Sequence, residues 1–263
     1  MKKLLRPLQW MYTFYAFALF FITMVPVVII YFFLALLPRN VRMIWVFHVN
    51  IVWLNIWGAL CGIFMRTRGL EKVKRGEQYI LLSNHVNMMD MIMTGSRLVH
   101  PFQPLIKKEL LRVPLFGFLL SITSIPVDRS SPESRKASFQ RMIRRIETGT
   151  SILIFPEGTR NRSEDPLGAF YQGAFRLAIA TQKPIVPMVL LDVRSIQKPG
   201  QLLLSPGVVT HQLLDPIPTE GMTEEDIKPL LDRVHKIYWD YLLEHDSYFK
   251  GYEKERTLIS KGK

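Results

Sequence analysis

The residues of this sequence that could do chemistry gather in two short blocks. The first is Asn84-His85-Val86-Asn87-Met88-Met89-Asp90, directly after the apolar run Tyr79-Ile80-Leu81-Leu82. A carboxylate on imidazole Nδ1 leaves Nε2 free to accept a proton and stabilises the imidazolium that results, which suits deprotonation of a hydroxyl nucleophile. Asp90 lies five positions after His85, roughly 140° away on an ideal helix, so the two share no helical face. They meet only where the chain turns sharply, as at a strand-to-helix corner. Taken alone, this spacing reads more readily as a structural His–Asp contact.

The second block, Pro156-Glu157-Gly158-Thr159-Arg160-Asn161-Arg162-Ser163, follows the run Ile152 to Phe155. Proline stops the strand, glycine lets backbone approach a ligand, and a guanidinium matches phosphate oxygens bidentately. Glu157 would repel a phosphate, so it is read as orienting Arg160 or bonding turn amides. The plain alternative is a polar turn with a surface arginine.

Both blocks sit where a strand ends, the place at which open α/β sheets present ligand crevices. Tyr79 to Leu82, Ile152 to Phe155, Ile185 to Leu191 and Val208 to Leu214 read as strands. Amphipathic helices alternate with them, which argues an α/β domain. Ser131-Pro132-Glu133 opens one helix, with Phe139, Met142, Ile143 and Ile146 on its apolar face and Gly149 closing it. Its cations Arg135, Lys136, Arg141, Arg144 and Arg145 lie off that face. They read first as a solvated surface, and otherwise as a contact for anionic lipid headgroups or an acidic carrier. The last helix opens at Thr223, with Asp226 in capping-box spacing, or near Lys228 because of Pro229.

The chain has 263 residues, 34 of them basic and 22 acidic, for a net charge of +12. Apolar residues make up 48% and aromatics 11%, which excludes a disordered chain. The lone Cys61 excludes an internal disulfide. The basic excess points to nucleic acid or an anionic membrane, and its distribution decides. Before the first acid, Glu71, there are seven basic residues, and between them lie two uncharged stretches, Pro7 to Pro38 and Met43 to Met65. Each exceeds the ~20 residues that cross a hydrocarbon core as a helix. Trp10, Tyr12 and Tyr15 suit a headgroup interface. The pair reads as a helical hairpin that either spans the bilayer or dips into one leaflet. Aromatics cluster in this hairpin rather than among the basic residues, so nucleic acid is not an expected partner. There is no Gly-x-Ser-x-Gly elbow, ligand-spaced Cys/His cluster or Gly-x4-Gly-Lys-Ser/Thr loop, so no serine acyl-enzyme, metal or nucleotide hydrolysis is expected.

Taken together the blocks resemble a known family. Asn84-His85-xxxx-Asp90 followed by Phe155-Pro156-Glu157-Gly158-Thr159-Arg160 is similar to the glycerolipid acyltransferases, and most to the bacterial-type lysophosphatidate acyltransferases. Lys107-Lys108-Glu109-Leu110, Pro114-Leu115-Phe116-Gly117, Ile125-Pro126-Val127-Asp128-Arg129 and Ile185-Val186-Pro187-Met188 resemble further motifs of that family. The sequence departs from it with Asn87, where serine is usual, and with Tyr171-Gln172-Gly173, where a lysine-rich stretch is usual.

The resemblance implies a mixed central sheet flanked by helices, preceded by a two-helix membrane anchor. The expected division is an anchor over 1–68, an acyltransferase domain over 69–249 and a basic tail over 250–263. It further implies transfer of an acyl group from a thioester to the sn-2 hydroxyl of lysophosphatidate, giving phosphatidate. His85 would be the general base and Asp90 its orienting partner. Arg129, Glu157, Gly158, Thr159 and Arg160, with Lys107, would form the phosphate site. No cofactor is implied beyond an acyl-CoA or acyl carrier protein thioester as co-substrate. The expected location is the membrane, on the cytoplasmic face of the inner membrane. The competing readings are acylation of another lysolipid or of glycerol 3-phosphate, hydrolysis to free fatty acid, and a non-catalytic lipid-binding protein.

Overall fold

The computed structural model describes residues 6–95, 101–128 and 130–252. Two long helices come first, α1 (Arg6–Leu34) and α2 (Arg39–Cys61). The remainder alternates as β1 (Ile63–Arg68), β2 (Ile80–Ser83), α3 (Met89–Gly95), β3 (Phe102–Lys107), α4 (Phe116–Thr123), β4 (Ile125–Val127), α5 (Pro132–Glu147) and β5 (Ser151–Ile154). It closes with α6 (Gly173–Thr181), β6 (Ile185–Leu191), α7 (Val193–Ile196), β7 (Gly207–Leu213) and α8 (Ile227–His245).

The strands form one seven-stranded sheet in the order β1-β7-β6-β2-β5-β3-β4. The five strands from β6 to β4 are mutually parallel, whereas β7 runs antiparallel to β6 and carries β1 parallel to itself. The sheet is therefore mixed and flanked by helices, as the resemblance implied. Every residue of β2, β5 and β6 is buried. That follows from helical cover on both faces, and it is why these strands read as unbroken apolar runs. On one face Ile80 and Leu82 pack with Met142 and Ile146 of α5, Phe175 of α6 and Val234 of α8. On the other Leu81, Leu153 and Met188 pack with Phe47 of α2.

That second face corrects the expected division. The residues 63–68, assigned above to the anchor, are β1, which pairs with β7 throughout. Gly62, at φ 65° in the left-handed region, ends α2 and turns the chain directly into that strand. The second hydrophobic helix is thus a layer of the domain. Its partner is tied down too. The Thr13 hydroxyl accepts a bond from Leu204 N (2.9 Å), and Gln9 donates to Ser205 (3.0 Å). At the other end of the hairpin Arg39 donates to Thr148, Gln103 and Thr150 at 3.0, 3.1 and 3.2 Å. Between the helices Tyr12 donates to Cys61 O, Trp57 to Ala16 O and Trp53 to the Thr23 hydroxyl. Both helices are long and apolar enough to cross a membrane, and their outward residues Phe14, Ile22, Phe32, Phe33, Trp45 and Val52 are exposed. The protein presents an apolar flank suited to lipid.

Local signals in the sequence hold where they were strongest. The Ser131 hydroxyl accepts from Ser134 N at 3.1 Å, with Pro132 at the first position of α5. The Thr223–Asp226 capping box opens a 3₁₀ turn that runs into α8, where Pro229 sits in the first turn and denies no carbonyl its donor. The basic tail from 253 onward lies outside the described residues.

One buried group is poorly satisfied. His211 on β7 is wholly buried, and neither ring nitrogen has a partner among the described residues. Burial pushes its pKa down to about 4 from the ordinary 6.5. The folded state therefore holds it neutral, while the unfolded chain takes up a proton as pH falls below 6.5. Its contribution to stability is complete above that pH and is lost progressively toward pH 4, a span worth on the order of 3 kcal/mol. His211→Leu is expected to flatten the fall of the thermal unfolding midpoint between pH 6.5 and 4. A variant as acid-sensitive as the wild type would refute that assignment.

Candidate active site

β2 and β5 are neighbours in the middle of the sheet and run parallel, so the two chemical blocks emerge side by side at one edge. The chain leaves β2 at Ser83 and starts α3 at Met89, and the five residues between make the sharp corner that the spacing demanded. Two asparagines hold this corner. Asn84 continues the ladder with its side chain, accepting from Leu190 N at 2.8 Å and donating to Leu190 O at 3.0 Å. Asn87 accepts from Met89 N at 2.9 Å and donates to Gln197 O at 2.7 Å. The residue that departs from the family pattern thus caps α3 and fastens the corner to the segment after β6.

The corner brings His85 and Asp90 together, with Nδ1 2.7 Å from Oδ2. The same oxygen accepts Val86 N at 2.6 Å and Asn87 N at 2.9 Å. Asp90 is fully buried, whereas the His85 side chain is 17% exposed. Three donors on one oxygen require it to accept from all of them, which assigns the histidine proton to Nδ1 and leaves a lone pair on Nε2. The ring lies against Phe155, centroids 4.1 Å apart and planes 21° from parallel. Phe155 therefore fixes the second face of the imidazole.

The second block grips the first by its backbone. Glu157 Oε1 accepts His85 N at 2.7 Å, Oε2 accepts Gly168 N at 2.8 Å, and Asn161 N donates to His85 O at 2.6 Å. Glu157 is 3% exposed, and desolvation, with Asp90 nearby, pushes its pKa up to about 7 against the opposing pull of its two amide bonds. The resemblance placed Glu157 in the phosphate site. Its oxygens are instead both engaged by main-chain amides, the turn-amide role that like-charge repulsion favours.

Residues 158–160 lie between two positions that both touch His85. Gly158 adopts φ 66°, which a side chain would strain, and Thr159 and Arg160 are exposed. Arg160 has no bonded partner among the described residues. Lys107 ends β3, the next strand along, and is exposed at the same edge. Arg129 lies outside the described residues. Its neighbour Asp128 accepts from the Ser130 hydroxyl (2.6 Å), from Ser130 N (3.0 Å) and from Lys108 (3.0 Å), which hold its carboxyl well below the usual range. A cavity of about 370 Å³ opens there between Lys108, Pro126, Ser134 and Arg141.

Sequence reasoning missed the brace behind this turn. Arg194, just after β6, is 2% exposed, donates to Ser163 O (3.1 Å) and Asp165 O (2.9 Å), and packs against the rings of Tyr248 and Phe249. Asn161 closes the same loop by donating to Asp165 O and accepting from Ser163 N. A single arginine after a strand has no spacing that marks it, and its partners are carbonyls that no sequence pattern shows.

A paired imidazole and a cationic turn, side by side on the carboxyl edge of an α/β sheet, make a site for a hydroxyl nucleophile with an anionic group. The comparisons agree with this class. Residues 64–191 match the family model described as Acyltransferase. This segment, just under half of the chain, is an acyltransferase-type domain. It is 29% identical over 217 residues to a 1-acyl-sn-glycerol-3-phosphate acyltransferase of Cocos nucifera, covering 80% of this chain and 67% of that one. It is 30% identical to the human 1-acyl-sn-glycerol-3-phosphate acyltransferase alpha, covering 66% of this chain and 62% of the relative. The matches thus span about two thirds or less of the curated relatives. The crystal structure of the 1-acyl-sn-glycerophosphate (LPA) acyltransferase PlsC from Thermotoga maritima has the same fold, with TM-score 0.77 at 17% identity, covering 94% of this chain and all of that one.

The double acceptor role of Glu157 is testable. Glu157→Gln keeps the size but turns an NH₂ toward one of the two amides, leaving that donor unpaired. Initial rates of acyl transfer are expected to fall about tenfold or more, with the thermal midpoint still showing a folded protein. Wild-type rates from the folded variant would contradict a positioning role.

Proposed function

We propose that the protein transfers an acyl group from an acyl thioester to the sn-2 hydroxyl of lysophosphatidate, forming phosphatidate. The observation that carries this reading is the His85–Asp90 pair held by the backbone grip of the turn that bears Arg160. His85 Nε2 takes the hydroxyl proton as the oxygen attacks the thioester carbonyl. The tetrahedral intermediate then collapses, the C–S bond breaks, and the imidazolium returns the proton to the departing thiolate. Asp90 holds the reactive tautomer and stabilises the imidazolium. Because the thiol is already a good leaving group, general-base catalysis of about 10²–10⁴-fold plus positioning suffices without an acyl-enzyme.

Arg160, with the Gly158 and Thr159 backbone and Lys107, receives the acceptor's phosphate; Arg129 joins them in this reading. Arginine suits a dianionic headgroup for its fork of donors. The names of the relatives support lysophosphatidate over other acceptors. The ties at both ends of the hairpin support a pair that lies in one leaflet along the domain, with the carboxyl edge reaching lipid from the cytoplasmic side, where basic segments are retained.

Three outcomes are expected. His85→Ala lowers turnover at least about 10²-fold. Mass spectrometry of the lipid formed from lysophosphatidate, with acyl-CoA and acyl carrier protein donors in separate arms, yields phosphatidate in one arm or both. Free fatty acid alone, or acylation only of a different acceptor in a panel, would overturn the reading. Arg160→Ala is expected to raise the KM for lysophosphatidate about tenfold or more and leave that for the thioester within about twofold. Equal changes in both would make Arg160 a structural residue.

A further inference from the structure

The hydrogen bonds around His85 belong to a closed circuit that leaves the active site and returns to it through α8, a helix with no group in the reaction. The circuit starts at the end of β2. Tyr238 of α8 is wholly buried; its hydroxyl donates to Leu82 O at 2.6 Å and accepts from Met188 N of β6 at 2.9 Å. α8 is thereby fastened to the strand whose end carries His85, three residues further on. His235 stands three positions before Tyr238, close to the same face of the helix. Its Nε2 donates to Gly168 O at 3.1 Å. Gly168 N donates in turn to Glu157 Oε2 at 2.8 Å, and Glu157 Oε1 accepts His85 N at 2.7 Å. The last link lands beside the first.

Two features mark the His235–Gly168 link as built. The carbonyl can only accept, which puts the proton of the neutral imidazole on Nε2. Burial pushes the pKa of His235 below the ordinary 6.5, favouring that neutral form. Phe170 meets the imidazole edge-on, centroids 4.9 Å apart, and Trp239 stacks beside it at 6.0 Å. Phe170 also lies edge-on to Tyr238 at 5.7 Å, so one aromatic ring braces both helix residues. The second feature is Gly168 itself. Its φ lies outside the left-handed region, so backbone conformation does not demand glycine there. Space does: an added Cβ would stand 2.9 Å from Glu157 Oε2. A side chain could enter only by displacing the carboxylate that holds His85 N.

We propose that His235 is a positioning residue for the acyl transfer, setting through Gly168 where the Glu157 carboxylate stands and hence where the His85 backbone lies. The assignment rests on the reading of His85 as the base. Without the imidazole donor, the Gly168 carbonyl loses its fixed point and the amide of the same residue moves with it. Glu157 then keeps a firm bond on one oxygen alone and is free to turn about it. Tyr238 is what lets the restraint act, because it stops α8 from following the displaced segment. Bonds in such a network support one another, so loss of one link loosens the rest. Arg160 and Lys107 lie outside the circuit, so the effect falls on turnover and not on binding.

The test is a double-mutant cycle on the full chain in detergent micelles, assayed by acyl transfer to lysophosphatidate from the thioester that the wild type uses. H235L is expected to lower kcat about fivefold or more, with KM for both substrates within about twofold. H235Q, whose amide N–H replaces that of imidazole Nε2, recovers most of the loss. In an E157Q background H235L costs less than a further twofold, about what two residues acting on one link require. The amide ¹⁵N–¹H signal of His85, read without turnover, moves in H235L and returns in H235Q. Wild-type kcat in folded H235L, H235Q as slow as H235L, or losses that multiply in the double variant would each overturn the proposal. If H235L fails to fold, G168A takes its place, and an unchanged kcat with an unmoved His85 signal overturns it as well. A wild type that acylates no lysophosphatidate defeats the functional reading instead, and the His85 signal still decides whether His235 holds the corner.

Discussion

One carboxylate oxygen organises the reactive corner. Asp90 Oδ2 receives the imidazole Nδ1 and two consecutive main-chain amides in a fully buried position. A buried carboxylate is costly unless its oxygens are bonded, and a donor left unpaired there costs about 1–3 kcal/mol. The corner therefore has a single low-energy conformation, in which the amides of residues 86 and 87 point inward and the imidazole projects outward. The proposed general-base role needs the histidine in that pose, and the hydrogen bonds hold it there. Preorganisation of this kind is the cheapest way to raise a rate, because nothing has to be ordered in the transition state.

The rest of the domain makes that geometry possible. Parallel pairing of β2 with β5 sets the two corners side by side, and Glu157 then bonds across the gap between them. Glu157 and Asp90 are thus two buried carboxylates that both bond main-chain amides at the His85 corner; both Glu157 oxygens are engaged, whereas Asp90 gathers its donors on Oδ2 and its Oδ1 has no partner among the described residues. Arg194 fastens the polar loop to the domain, since its guanidinium donates to the main-chain carbonyls of Ser163 and Asp165. The opposite face of the sheet is closed by α2, a helix whose own outer side is apolar. The same element that covers the core also carries part of the exposed apolar flank, and Gly62 joins it to β1 with no separate linker.

What the sequence revealed follows from how local each signal is. The fully buried strands β2, β5 and β6 announce themselves as apolar runs, and α5 by its serine cap and proline. His85 and Asp90 were legible as a pair only together with the geometric demand for a corner. β1 was concealed, because its first residues continue the apolar texture of α2 and only Gly62 marks the break. β3 and β4 went unread because Pro104 and Pro126 interrupt short segments that lack an alternating pattern. The function of Glu157 depended on amides 72 and 11 residues away. No spacing in one chain encodes such partners, since the sheet order that joins them is a tertiary fact.

The reactive corner depends on Asp90 fixing the tautomer of His85. Nitrogen-15 NMR of histidine-labelled protein, with the His85 signals assigned by their loss in His85→Gln, measures it directly. The neutral imidazole is expected to carry its proton on Nδ1 with Nε2 bare, and to redistribute it between the two nitrogens in Asp90→Asn. A proton on Nε2 in the wild type, or the same spectrum in both proteins, would contradict it.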